Sequence, residues 1–260
     1  PPRSTLFPYT TLFRSETSAS DLQDDLKNLE KWEASWGMEF HPAKCQHITF
    51  SRKTSPPQHT LTLHDTEIPK SDDVKYLGVT VDSKLRWHKH ISNITAKANS
   101  TLGFIRRNVL TTSEEIKSLA FKQLVRPVLE YASSAWDSLT QTQETSLEAV
   151  QRRAARLVCG IRRSDRTTSV TGLVKRLGWD KLDERRRNRR LQLFHQLHFG
   201  ETHTITRHIQ KATYHSSRKH CHQYFIPHVR TQHHQRSFFM KTAKDWNALP
   251  LSSPLLVAPG

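Results

Sequence analysis

Apolar residues recur at three- and four-residue steps through most of the chain, the spacing that lines one side of an α-helix. Leu22, Leu26, Leu29, Trp32 and Trp36 follow this period after Ser20 and Gln23, a capping-box pair, and Gly37 is a natural left-handed stop. The pattern then changes. Residues 46–50 and 61–64 read as short strands, and Val74, Tyr76, Leu77, Val79 and Val81 form an apolar, β-branched run with Gly78 inside it. A glycine within a strand points to close approach by another backbone or a ligand. Beyond Asp82-Ser83 the helical period returns.

Ile91, Ile94, Ala98, Leu102 and Ile105 predict one helix. A second is expected from near Thr112, with Glu115 completing a capping box, to Trp136, kinked at Pro127. The small residues Ala132, Ser133, Ser134 and Ala135 favour close helix packing near its end. Leu147, Val150, Ala154, Leu157 and Val158 form a further stripe, and Leu191, Phe194 and Leu197 another. Phe238, Phe239 and Trp246 are expected to dock on these helices and anchor the end of the chain. The reading is an α+β fold. A small antiparallel sheet with one helix occupies 16–90, a mostly α-helical domain 91–200, and a loosely structured His-rich tail 201–260.

Residues 1–15, PPRSTLFPYTTLFRS, match neither period and resemble a translated adapter sequence, so they are set aside from the fold. The three cysteines, Cys45, Cys159 and Cys221, are odd in number and far apart, which gives no disulfide framework and no paired zinc motif. No apolar run approaches the roughly 18 residues of a spanning helix, and no signal peptide is visible. An intracellular setting, nuclear or cytoplasmic, without a membrane partner is expected.

Charge changes the picture most. The 260 residues carry 40 Lys and Arg against 24 Asp and Glu, a formal +16, which argues for a polyanionic partner. Residues 151–200 alone hold 14 basic against four acidic residues, a net +10. Arg152, Arg153 and Arg156 fall mainly opposite the apolar stripe of their helix. The densest run, Asp183 to Arg190, precedes Leu191. Such runs are either solvated helix faces or a surface that tracks phosphates, and the packing of these helices by their other side favours the second. Asp24-Asp25 reads as a solvated helix face rather than a metal site. His215, His220, His222, His233 and His234 with Cys221 lack the spacing of a zinc finger, and a polar tail is the simpler reading.

The stretches LQDDLKNLEKWEASWGMEFHPAKC and VKYLGVTVDSKLRWHKHI, with RPVLEYASSAW and the closing SFFMKTAKDWNALP, resemble the C-terminal part of non-LTR (LINE-type, jockey- and CR1-like) retrotransposon reverse transcriptases. The family's lysine-bearing palm motif matches here, with His41 where Asn is usual. By that resemblance the first segment is the end of the palm, the helical domain a thumb, and Lys44 a candidate general acid toward leaving pyrophosphate. The residues alone leave Lys44 equally a surface lysine. Tyr76, Leu77 and Gly78 would form the hairpin that grips the primer strand.

The resemblance also places the catalytic, Mg²⁺-holding aspartates about 20 residues before Leu22, where only the adapter-like stretch stands. Ser71-Asp72-Asp73 lies on the wrong side of that position and lacks a strand before it. No cofactor is expected in this chain, and Mg²⁺ is implied for the intact parent. The expected partners are an RNA template with a DNA primer and the missing N-terminal part of the polymerase. Nucleic-acid contacts are assigned to Arg152, Arg153, Arg156, Arg185, Arg186, Arg189 and Arg190, besides the hairpin. The alternative is a non-catalytic basic nucleic-acid-binding protein or a degenerate retroelement relic.

Overall fold

The computed structural model describes residues 17–51, 53, 58–109, 113–162, 165, 167–200, 209–213 and 220–257. The chain folds as two units, Pro1–Arg86 and Trp87–Gly260, and its helices and small antiparallel sheets make the expected α+β class.

In the first unit, α1 (Thr17–Trp36) packs on a hairpin of β1 (Thr62–Leu63) and β2 (Thr66–Glu67). Leu61, Leu63 and Ile68 form its core, covered by Leu22, Leu26, Phe40 and Cys45. Polar side chains of the helix extend the contact to backbone. The Gln23 amide donates to the Thr62 carbonyl and accepts from the Thr62 N–H, both at 2.9 Å, so a side chain completes the ladder of a two-residue strand. Glu33 is buried, accepts from the Phe40 N–H at 2.7 Å and pairs with His64. This reverses the expected face in the last turns of α1: the apolar Trp32 and Trp36 are exposed. Of the strand expected at 46–50, a single bridge between His47 and Lys70 forms.

The apolar run around Gly78 is two strands, not one. β3 (Asp73–Tyr76) and β4 (Val79–Asp82) pair antiparallel with Tyr76 opposite Val79, leaving a two-residue loop of Leu77 and Gly78. Both loop residues have positive φ, 46° and 83°, the mirror-image turn whose twist matches that of the strands. Gly78 is therefore a turn residue, and Leu77 holds a conformation that costs a residue with a Cβ roughly 1–2 kcal/mol.

The second unit opens with α2 (His88–Asn108). The next helix is broken three ways. Ser113 caps α3 (Glu114–Ala120), accepting from the Ile116 N–H, and Thr112 lies outside the described residues. The ladder then widens into a π-helical turn over Phe121–Val125 before α4 (Arg126–Glu130), so Pro127, which lacks an N–H, falls in the first turn of a new segment where none is needed. Ala132 at φ 50° ends that segment, and α5 (Ser133–Trp136) follows. The small residues thus make a corner rather than a packing stripe. α6 (Gln141–Val158) starts from a complete capping box of Thr140 and Gln143, then come α7 (Val170–Arg176) and α8 (Leu182–Phe199). Ala98, Leu102, Leu129, Leu147, Val150 and Ala154 are buried between them, and Phe121 stacks on Trp179 at 4.3 Å.

α9 (Gln232–Gln235) and α10 (Phe238–Asn247) complete the unit. The end of the chain is better packed than its composition suggests. Leu191 and Phe194 of α8 share a core with Tyr224, Met240 and a fully buried Trp246, while Phe238 and Phe239 pack at its margin. Histidines of the tail and of α8 serve this contact: His220 hydrogen-bonds the Trp246 carbonyl at 2.9 Å, and His198 of α8 bonds both the Tyr224 hydroxyl and His222. His215 lies outside the described residues.

Burial first, then the neighbouring His222, Lys211, His195 and His220, push the His198 pKa down to about 4. A histidine that titrates near 6.5 when unfolded and near 4 when folded binds its proton only in the unfolded chain across that window. Stability should therefore fall as pH drops from about 6.5 toward 4. Thermal unfolding is expected to show a lower midpoint at pH 5 than at pH 7.5, with a shallower dependence in His198→Gln.

Candidate nucleic-acid interface

The residues with expected roles in the first unit sit on two local elements. Lys44 ends a short 3₁₀ turn, Pro42–Lys44, and is exposed. Tyr76 and Leu77 stand at the β3–β4 tip, with Leu77 67% exposed. A tight turn that presents an aliphatic and an aromatic side chain to solvent can lie against the sugar-phosphate backbone of a strand end, with Gly78 adding no bulk.

The second unit overturns part of the arginine assignment. The run on α8 is an internal clasp. Arg186 is 0% exposed and Arg190 2%. Arg186 Nε donates to Asp137 Oδ1 at 2.7 Å, while Arg190 Nε lies 2.7 Å from Asp137 Oδ2 and its Nη2 donates to Asp245 at 3.0 Å. Lys241 Nζ adds a third cation, 3.1 Å from Asp137. Arg185 and Arg189 converge on the buried Glu130, at 2.5 and 2.9 Å, and Arg187 pairs with Asp245 at 3.1 Å. All five arginines of α8 thus have a carboxylate partner. Arg186 and Arg190 are corrected from duplex contacts to interior residues, and Arg185 and Arg189 are committed to Glu130. The reason is tertiary: their acids lie 49 to 59 positions away in sequence.

The start of α8 is held by α6. Glu148 accepts from the Leu182 N–H at 2.7 Å and Gln151 donates to the Asp180 carbonyl at 2.9 Å. Burial raises the Glu148 pKa against the opposing effect of those backbone donors. Glu144, the other acid of α6, faces Lys241 at 4.0 Å. Both carboxylates of α6 are therefore engaged away from its arginines.

Beside scattered exposed cations such as Lys175, Lys181 and Lys244, a group of basic and outward side chains lies on α2 and α6. α2 carries Lys89, Lys97, Arg106 and Arg107 across 21 residues and no Asp or Glu. Lys97, Arg106 and Arg107 are exposed, as are Arg152 and Arg153 of α6, and Arg156 is half-buried. Arg152, Arg153 and Arg156 fall within about 100° of one another around α6. Arg153 Nη1 donates to Asn99 Oδ1 of α2 at 2.9 Å, joining the two faces. Sequence reasoning missed α2, whose four cations are spread too thinly to register as a run. The signal was the missing acid.

A two-Mg²⁺ centre does not fit the described residues. Among the described residues no group of three or more His, Cys, Asp or Glu is placed to hold a metal ion. Asp24 pairs with Lys27 on an exposed face, and Asp82, opposite Asp73, accepts from the Lys84 and Arg86 N–H groups. No helix among the described residues is long and apolar enough to cross a membrane.

The chain is similar to curated RNA-directed DNA polymerases of mobile elements. It is 25% identical over 165 residues to the probable RNA-directed DNA polymerase from transposon X-element of Drosophila melanogaster, covering 60% of this chain and 18% of that protein. Against the RNA-directed DNA polymerase from mobile element jockey of the same species it is 26% identical over 148 residues, 55% of this chain and 16% of the other. The probable RNA-directed DNA polymerase from transposon BS gives 24% over 145 residues, 54% and 16%. These matches bear out the resemblance to non-LTR retrotransposon reverse transcriptases, and the chain spans less than a fifth of the length of the relatives it matches. No family model and no solved structure matches.

Removing the acid at the centre of the clasp leaves the buried Arg186 guanidinium without a carboxylate and Arg190 with Asp245 alone. Asp137→Ala should destabilise the second unit by about 3–5 kcal/mol, read as a lowered denaturant midpoint. Arg187→Ala, at a more exposed pair, should shift it by under about 1 kcal/mol.

Proposed function

We propose that this chain, a relative of retrotransposon RNA-directed DNA polymerases, is the part of such an enzyme that holds the primer–template duplex. The β3–β4 tip touches the primer end, and the outer faces of α2 and α6 track the phosphates. The observation that carries this reading is the division of charge: α8 spends its arginines on Glu130, Asp137, Asp180 and Asp245, whereas α2 has four cations and no acid. Positive charge held at the surface, as at Lys97, Arg106 and Arg107, is what attracts a polyanion, and its binding releases counterions without reading sequence.

In this reading Lys44 is the group that delivers a proton to leaving pyrophosphate, a role an exposed ammonium fills only beside a bound triphosphate. The Mg²⁺-holding aspartates belong to a part of the parent polymerase outside this chain. RNA-templated addition of deoxynucleotides is then the parent's reaction, and this chain's share is to hold its substrate. A template–primer extension assay with Mg²⁺ should give no incorporation by the chain alone, and clear incorporation would refute this division of labour.

The binding surface is tested by charge reversal. Arg152→Glu with Arg153→Glu should weaken binding of an RNA–DNA hybrid at least tenfold and reduce the slope of log affinity against log salt by roughly 2. Arg187→Ala should leave the slope unchanged. Fluorescence anisotropy titrations between 50 and 200 mM salt (about the range over which phosphate contacts weaken strongly) make the comparison. An unchanged slope in the double variant would remove α6 from the interface.

A further inference from the structure

The exposed face of α2 carries one side chain that phosphate tracking does not explain. Phe104 is 53% exposed in the middle of a polar, basic stripe. At 100° per residue, Lys97, Ser100, Phe104 and Arg107 lie within about 80° of arc, and all four are exposed. Gly103 precedes the ring, and a Cβ there would lie 3.5 Å from Arg107 Nη1. The Arg107 guanidinium therefore folds back against the helix beside Phe104. Asn99, on the other side of Gly103, accepts from Arg153 of α6. Going round the helix, the order is Arg153 at Asn99, then Arg107, Ser100, Phe104 and Lys97.

A lone exposed phenylalanine on an apolar surface would be the edge of a protein interface. Here the neighbours on the same face, Lys97, Ser100, Arg107 and Asn108, are charged or polar, and α2 contributes no acid to pair with a basic partner. Cations on both sides of an exposed ring hold a phosphodiester backbone while the ring offers its face to a base. Stacking of this kind is worth roughly tenfold or more in affinity per base and tolerates any sequence. A paired base within a duplex is already stacked and has no face to offer. Only an unpaired nucleotide can take the ring.

We propose that Phe104 is a stacking platform for an unpaired nucleotide next to the duplex, so that the α2 face prefers a hybrid with a single-stranded overhang to a blunt one. The proposal rests on the α2–α6 nucleic-acid reading and adds the residue that meets the unpaired part of the bound nucleic acid. Stacking supplies the preference, and Lys97 and Arg107 supply the salt-dependent part of the affinity.

The test uses the full chain and two probes, a blunt RNA–DNA hybrid and the same hybrid with a short RNA overhang carrying 2-aminopurine. The wild-type chain should bind the overhang probe roughly tenfold more tightly and quench its fluorescence. Phe104→Ala should abolish both the preference and the quenching while leaving blunt-hybrid affinity and salt slope unchanged, and Phe104→Trp should keep them. Equal affinity of the wild type for the two probes overturns the proposal, as does a Phe104→Ala variant that keeps the preference. So does a variant that loses affinity for both probes equally, or one whose sedimentation shows a self-association in the wild type that Phe104 sustains. If the wild type binds neither probe, the duplex-holding reading falls as well. Salt-dependent binding of the blunt hybrid with no overhang preference sinks the stacking platform alone.

Discussion

The second unit depends on one buried carboxylate. Asp137, at the end of α5, meets Arg186 and Arg190 of α8 and Lys241 of α10. A charge in the interior is costly unless it is paired, and a pair of arginines one helical turn apart can answer a single acid only when α8 presents that turn to it. The interaction therefore sets the rotation and register of α8 against α5 and α10, which apolar packing of Leu191, Phe194 and Trp246 alone would leave less sharply defined. Three cations on one acid still leave an excess of positive charge. Asp245 offsets it by pairing with Arg187 and Arg190. Glu130 repeats the arrangement for Arg185 and Arg189.

That clasp decides which part of the chain faces a partner. The arginines of the most basic stretch are tied to carboxylates within the fold, and the face proposed to meet nucleic acid lies on helices of lower charge density. Charge density along the sequence thus does not tell where positive charge meets solvent. The acids that neutralise α8 come from α4, the corner after α5, the loop before α8, and α10. Each draws a cation out of the electrostatic surface and puts it into the architecture. The α2 face keeps its field because no carboxylate shares its helix.

The two hairpins of the first unit make the same point on a smaller scale. Each closes on a two-residue loop with both residues at positive φ, His64-Asp65 and Leu77-Gly78. Aspartate and glycine adopt that conformation readily, and leucine does not. Leu77 is held there by the pairing of β3 and β4 on either side, and its exposed side chain gains nothing from the core. A strained, solvent-facing residue is a feature for which folding alone gives no reason, which is why the tip is a better candidate for contact than the buried strand positions beside it.

Helix positions, the apolar stripes of α2, α6 and α8 and the docking of Trp246 were legible in the residues, because they follow from local periodicity, whereas the capping box at Thr140 came only with the structure. So was the relationship to retrotransposon polymerases, carried by motifs such as WGMEFHPAKC and VKYLGVTVD. Tertiary structure alone decided the rest. The break at Ala132 and the π-helical turn before Pro127 depend on what the neighbouring helices leave room for. The exposure of Trp32 and Trp36 follows from Glu33 being drawn inward by the Phe40 N–H and His64. The burial of Arg186 and Arg190 follows from an acid 49 residues before Arg186. A sequence records that an arginine is charged, but whether that charge meets solvent, phosphate or an internal carboxylate is fixed only when distant segments come together.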